Sequence, residues 1–200
     1  MQKLVLLLAV TFFSVFGMGI NAQTNNAQFA LEYMQKTKDR LLNDVKGLSE
    51  QQLNWKATDS SWSIANCIEH ITASEKALFD MVQGVLQQPA DPSKKGEVKH
   101  TDEGIIKIIT DRSFKAKAPE ALRPSGQFGN VAETLATYEE RRDSLMNFTK
   151  TTTADLRSHY LDFPFGKIDA YQGLLFIAAH SERHTLQIEE VKANPAFPKS

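Results

Sequence analysis

Apolar residues recur along this chain at steps of three and four, the spacing of one face of an α-helix. The first such run covers about Asn26 to Gly47, with Ala30, Met34, Leu41, Val45 and Leu48 on one side. Gly47 is a natural stop, and Ser49-Glu-Gln-Gln52 reads as a capping box opening a short turn. A second run starts near Trp62, with Asp59, Ser60 and Ser61 as candidate caps. Its stripe of Ile64, Ile68, Ile71, Leu78, Val82 and Val85 is a bundle seam, and Pro89 and Pro92 follow its end. A third run covers about Val131 to Lys150, with Val131, Leu135, Tyr138, Leu145 and Phe148 on its apolar side. The fourth extends from Asp169 to about Ala193, ahead of Pro195, along Leu174, Ile177, Ser181, His184, Ile188 and Val191.

Between the second and third runs, residues Lys94 to Gly129 form a long connector. Ile105, Ile106, Ile108 and Ile109 fit a short helix or a strand, with the helix favoured, while Pro119, Pro124, Gly126 and Gly129 mark loop. A connection of this length is often functional or packs across the bundle. Phe163-Pro-Phe-Gly166 forms a turn before the fourth helix. Four long helical patterns, without strong strand signals or internal repeats, predict an all-α antiparallel four-helix bundle with a long connector between helices two and three.

The first 22 residues follow a different pattern. Lys3 precedes an almost wholly apolar stretch, Leu4 to Phe16, then small and polar residues up to Ala22, and no charge occurs between Lys3 and Glu32. This is the layout of a secretory signal peptide, with cleavage expected after Ala22 and a mature domain over residues 23–200. The protein is therefore expected to be exported, periplasmic or secreted, with no stable membrane insertion once the leader is removed. The alternative is an uncleaved anchor, because Leu4–Ile20 nearly reaches spanning length, although Thr11, Ser14 and Gly17 interrupt it. No cysteine near the cut is available to carry a lipid.

Charge narrows the partners. The formal net charge is −1, which gives no electrostatic footprint for nucleic acid and no acidic tail for a basic partner. The single cysteine, Cys67, cannot close an internal disulfide, so an exported fold must stand on its core. A small buried packing residue is the expected use of Cys67; a fourth ligand or reactive thiol is the sharper alternative.

The chemistry concentrates on histidine. Residues four apart on a helix differ by about 40° around its axis, so His180 and His184 lie one turn apart and can reach one point. This is the spacing with which a helix gives two imidazoles to one metal, although such a pair also arises by chance. His70 on the second helix has small neighbours one and two turns away in Ser63, Cys67, Ser74 and Ala77, which leave room around its ring. One histidine from helix two and two from helix four would make a three-nitrogen face that keeps a metal position open. Zinc or nickel suits such a face best; iron or manganese would also be held. His100 and His159 lack partners at ligand spacing and are expected on the surface.

The residues Trp62-Ser-Ile-Ala-Asn-Cys-Ile-Glu-His70, the connector Ala118-Pro119…Pro124-Ser-Gly126, and Ala179-His-Ser-Glu-Arg-His-Thr-Leu-Gln-Ile188 resemble the DinB-like superfamily, which includes the YfiT-type proteins. Each motif is loose, but their order and spacing match across essentially the whole mature chain. The resemblance implies a four-helix bundle, often a homodimer, with a divalent metal on a histidine triad, here His70, His180 and His184. It also implies a small-molecule substrate, since some relatives transfer or use a low-molecular-weight thiol such as bacillithiol or mycothiol.

A metal with an open position lowers the pKa of a bound thiol or water. Thiol transfer would then be one activity and hydrolysis another, and water activation usually uses a nearby carboxylate base. Glu75 is the best placed carboxylate, against a plain buried or solvated charge. Glu69 and Glu182 turn away from the histidines. Gln187 is placed to orient a ligand imidazole or a water, or to make a helix–helix contact. Arg141 and Arg142 are expected on a solvated face or paired with Glu139 and Glu140. Low-molecular-weight thiols are held mainly in the cytoplasm, so export counts against a thiol substrate. A metal- or small-ligand-binding protein without turnover is the alternative to an enzyme.

Overall fold

The computed structural model describes residues 16–199, with side chains from residue 27 onward. In chain order the elements are α1 (Phe16–Val45), α2 (Glu50–Asn54), α3 (Ile64–Leu86), α4 (Asp102–Thr110), α5 (Val131–Thr151), strands β1 (Tyr160–Phe163) and β2 (Gly166–Asp169), and α6 (Ala170–Lys192). The leader expected over residues 1–22 falls partly on residues 1–15, outside the described residues, and partly on the opening turns of α1. Among the described residues, no helix is long and apolar enough to cross a membrane.

Local chemistry sets the helix starts. Ser49, Ser63, Asn130 and Asp169 each cap a helix, accepting from the backbone N–H three residues on while that residue's side chain returns a bond. The cap of α3 is Ser63, not the expected Asp59, Ser60 or Ser61. Asn66 replaces the usual Glu or Gln of the box, which hides the motif in the sequence. The three expected caps instead belong to a turn in which Ser61 N–H donates to Thr58 O at 3.0 Å.

α1, α3, α5 and α6 form the bundle, α6 packing on both α1 and α3, and α5 closing the other side against α1 and α3. Pairings along the helices give their directions. Thr72 meets Thr134, Glu75 meets Arg142 and Phe79 meets Phe148, so α3 and α5 run parallel. Tyr33 and Asp44 meet Glu182 and Lys192, so α1 and α6 also run parallel. Two parallel helices joined in sequence require the chain to return the length of the bundle, about 1.5 Å per residue of α3. The long connector makes that return. α4, the helix favoured for the isoleucine cluster, lies on α6 and runs with it, Asp102 beside Gln172 and Ile109 beside Arg183.

The turn at Phe163–Gly166 closes a two-stranded antiparallel hairpin, with Tyr160 opposite Asp169. Its strands of four residues are too short to give a periodic signal, so the sequence showed the turn alone. Gly173 admits the hairpin beside α6: a Cβ there would come within 2.8 Å of both Leu161 and Val82 side-chain carbons.

The core is divided. One apolar cluster joins Met34, Val82, Leu145, Leu174 and Leu175; a second joins Leu41, Ile64, Ile68, Ile71, Tyr138 and Ile188. Along the bundle, buried Thr37, Glu75, Arg142 and Ser181 occupy the stretches between them. Arg142, expected on a solvated face, is fully buried. Its guanidinium donates from Nε to Glu75 Oε1 at 3.0 Å, from Nη2 to the same oxygen, and from Nη1 to Met34 O and Thr37 Oγ1. The charge is tolerated because nearly every donor has an acceptor.

Candidate metal centre

His70, His180 and His184 come together at one end of the bundle. One nitrogen of each lies within 4.8 Å of the others, the one such cluster of possible metal ligands among the described residues. The two helices explain this. α3 and α6 are packed neighbours running in opposite directions, His70 meeting His184 while Val82 lies beside Gly173, so the first third of α3 faces the second half of α6. One turn of α6 separates His180 from His184, and their ring centroids are 4.6 Å apart. His70 completes the triangle, 5.0 Å from His180 and 4.5 Å from His184 between centroids.

The outer nitrogens of two rings are already committed. His70 Nδ1 lies 2.8 Å from the carbonyl oxygen of Leu122, which can only accept, so Nδ1 carries the proton and Nε2 is left with a lone pair. His184 Nδ1 lies 3.0 Å from Gln187 Oε1. Arg112 Nη1 donates to the same Oε1 at 3.2 Å, so two donors converge on it and fix the amide's orientation. Arg112 is in turn held by both oxygens of Glu190, at 3.1 and 2.7 Å. Gln187 therefore orients a histidine ring, one of the roles its position suggested. Arg112 was not foreseen, because it lies on the connector, where sequence gives no register.

Trp62 covers the cluster. Its ring stacks on His184 at 5.9 Å with 29° between planes and meets His70 at 4.9 Å. Burial pushes all three imidazoles below the usual histidine range, His180 to about 3, where neighbouring His70 adds to the effect. Neutral imidazoles are the form that binds metal. Three nitrogen donors, neutral and convergent, with two outer nitrogens tied to acceptors, fit a divalent cation with an open position.

The other candidates lie elsewhere. Glu75 is locked against Arg142 in the middle of the bundle, where burial raises its pKa against the pull of that guanidinium, and it is not a base for this site. Glu69 turns away from His70 and accepts three backbone N–H groups of the connector, Ser125, Gly126 and Gln127, at 2.8 to 3.1 Å. Gly126 has a φ of +79°, which lets these amides converge. Glu182 accepts from Tyr33 and Arg40. Arg141 donates to Thr72 O and lies over the Phe128 ring rather than pairing with its acidic neighbours. Cys67 is buried in the second apolar cluster, as expected, and burial pushes its thiol up to about 12. His100 is half-buried, its Nε2 3.0 Å from Phe165 O. His159, expected on the surface, is 9% exposed, with its two nitrogens beside Asp155 O and Gln88 O. The segment leading into the hairpin folds over the end of α3, which no local pattern announced.

Residues 33–188 match the family model of the DinB superfamily. The chain belongs to the DinB superfamily. An uncharacterised protein, YuaE of Bacillus subtilis (strain 168), is 27% identical over 151 residues, covering 75% of this chain and 89% of that protein. Among solved structures, YfiT from Bacillus subtilis aligns with a TM-score of 0.56 at 15% identity, covering 83% of this chain and 85% of that one. YfiT is described as a probable metal-dependent hydrolase with an unusual four-helix bundle topology. At that identity the likeness shows the fold alone, a four-helix bundle.

Proposed function

We propose that this DinB-superfamily protein is an exported, metal-dependent hydrolase that holds one divalent cation, zinc or nickel in first place, on His70, His180 and His184. The observation that carries the reading is the convergence of three neutral imidazole nitrogens within 4.8 Å. The bound cation would supply a Lewis acid and a lowered pKa for a coordinated nucleophile. The protein's own part is positional. Leu122 O and Gln187 fix the tautomers of His70 and His184, and Trp62 shields the rings from bulk water. Hydrolysis is favoured over thiol transfer by the leader-like layout expected from residues 1–22 and by the activity described for YfiT.

Thiol transfer stands as the second reading on one observation. Glu69, Glu75, Glu182 and Glu190 are all engaged by other partners, and a thiolate nucleophile needs no carboxylate base. The test is elemental analysis of purified protein beside His180→Ala and His184→Ala, followed by assays with 4-nitrophenyl acetate and with cysteine plus 1-chloro-2,4-dinitrobenzene. About one equivalent of metal, lost in both variants together with ester hydrolysis, upholds the hydrolase. Thiol-dependent turnover alone upholds the second reading. Unchanged metal content in both variants overturns the site.

A further inference from the structure

At Trp62 the surface opens into a cavity of about 640 Å³. Its walls come from three parts of the chain that only the fold unites: the loop before α3, the first turn of α3 and the connector between α4 and α5. Lys56, Lys117 and Arg123 line it, against the single carboxylate of Asp59. Among the described residues none of these three exposed cations has a carboxylate within ion-pair distance, and Arg123 donates from Nε to Ala118 O at 3.3 Å. Asn66, in the first turn of α3, adds a polar side chain.

Two features tie the cavity to the histidines. Trp62 lines it and also packs on His70 and His184. Arg123 directly follows Leu122, whose carbonyl accepts from His70. The connector segment is further pinned to α3 by Glu69, one residue before His70, through the amides of residues 125–127. A group held by Arg123 is thus held in register with the histidine cluster.

We propose that this cavity is the specificity site for a substrate bearing a carboxylate or phosphate group, gripped by Lys56, Lys117 and Arg123, with an apolar body lying on Trp62. The proposal rests on the histidine cluster being the reactive centre. A cavity of this size suits a small molecule, and its unpaired cations supply the charge-assisted bonds that select an anion over its neutral analogue. Arg123 offers a planar fork suited to either oxyanion, while the two lysines act as point charges.

The test uses the full mature protein with its natural metal and three probes: 3-phenylpropionate, phenyl phosphate and neutral benzyl alcohol. Binding is read by calorimetry and by the Trp62 indole N–H resonance, assigned with Trp62→Phe. Two variants accompany it, Lys56→Ala/Lys117→Ala/Arg123→Ala and His184→Ala. The expected result is that an anionic probe binds and shifts the Trp62 resonance, while benzyl alcohol does not bind. Removing the three charges weakens that binding by about tenfold or more and leaves metal content unchanged. The better anion then tells carboxylate from phosphate. No anion binding, or unchanged affinity in the charge variant, overturns the proposal. Binding lost in His184→Ala but kept in the charge variant also overturns it, because the anion then sits on the metal. A metal-free wild-type protein that still binds anions through the three cations refutes the metal reading and upholds the anion cavity.

Discussion

His184 gives its Nδ1 proton to Gln187 at 3.0 Å, and the same amide oxygen receives Arg112 from the connector. A ring, its tautomer and a distant loop are thereby fixed by one side chain. Gln187→Leu should leave the bundle folded and weaken metal binding by about ten- to a hundredfold. Competition with a chelator of known affinity checks this, and Arg112→Ala should give a smaller loss in the same direction. Equal affinity in wild type and Gln187→Leu would remove the amide from the site.

Buried neutral imidazoles make metal-stripped protein sensitive to acid. In the unfolded chain each histidine takes a proton near pH 6.5, whereas His70, His180 and His184 resist it in the folded state. Stability is full above that pH, falls as the pH drops below about 6.5, and stops falling for His180 near its folded value of about 3. Thermal unfolding of chelator-treated protein between pH 8 and 4 should show the decline. A variant with all three histidines changed to glutamine should show a flatter one.

The Glu75–Arg142 pair sits between the two apolar clusters with both side chains almost wholly buried. Arg142→Met alone should destabilise the fold by about 3–5 kcal/mol, because Glu75 is left as an uncompensated buried carboxylate. The double variant Glu75→Leu/Arg142→Met should recover much of the loss. Urea denaturation of the single and double variants measures the coupling.

Glu69 holds the connector by three backbone amides. Glu69→Ala should speed hydrogen exchange at Ser125, Gly126 and Gln127 while the amides of α6 keep their protection. Exchange rates unchanged at those three residues would show that the loop does not depend on the carboxylate.

Cys67 should be chemically silent. With its thiol pushed up to about 12 by burial, native protein should resist iodoacetamide at pH 8 and react readily in denaturant. Rapid labelling of native protein would place the sulfur nearer solvent than the core of α3 allows.

The four helices were legible because each carries a long apolar stripe, and burial of that stripe is what stabilises it. His180 and His184 were legible as a pair because helical spacing alone sets their separation. His70 could be matched to them only by its small neighbours and by a family resemblance, since no local rule says which face of α3 meets α6. The short hairpin, the Ser63 cap and the buried His159 gave too little pattern to read.

Arg142 shows the limit most clearly. In sequence it stands beside Arg141, Glu139 and Glu140 and looks solvated, yet the fold buries it against Glu75, which lies 67 residues earlier in the chain. The sequence by itself determined the helices, their seams and the candidate ligands, because those follow from repeats within a few turns. Tertiary structure alone decided that α3 and α5 run parallel, that the connector returns along α6, that Trp62 and the Leu122 carbonyl meet the histidines, and that Arg112 holds Gln187 beside them. Those are long-range contacts, settled by which apolar faces and which buried charges can be satisfied together.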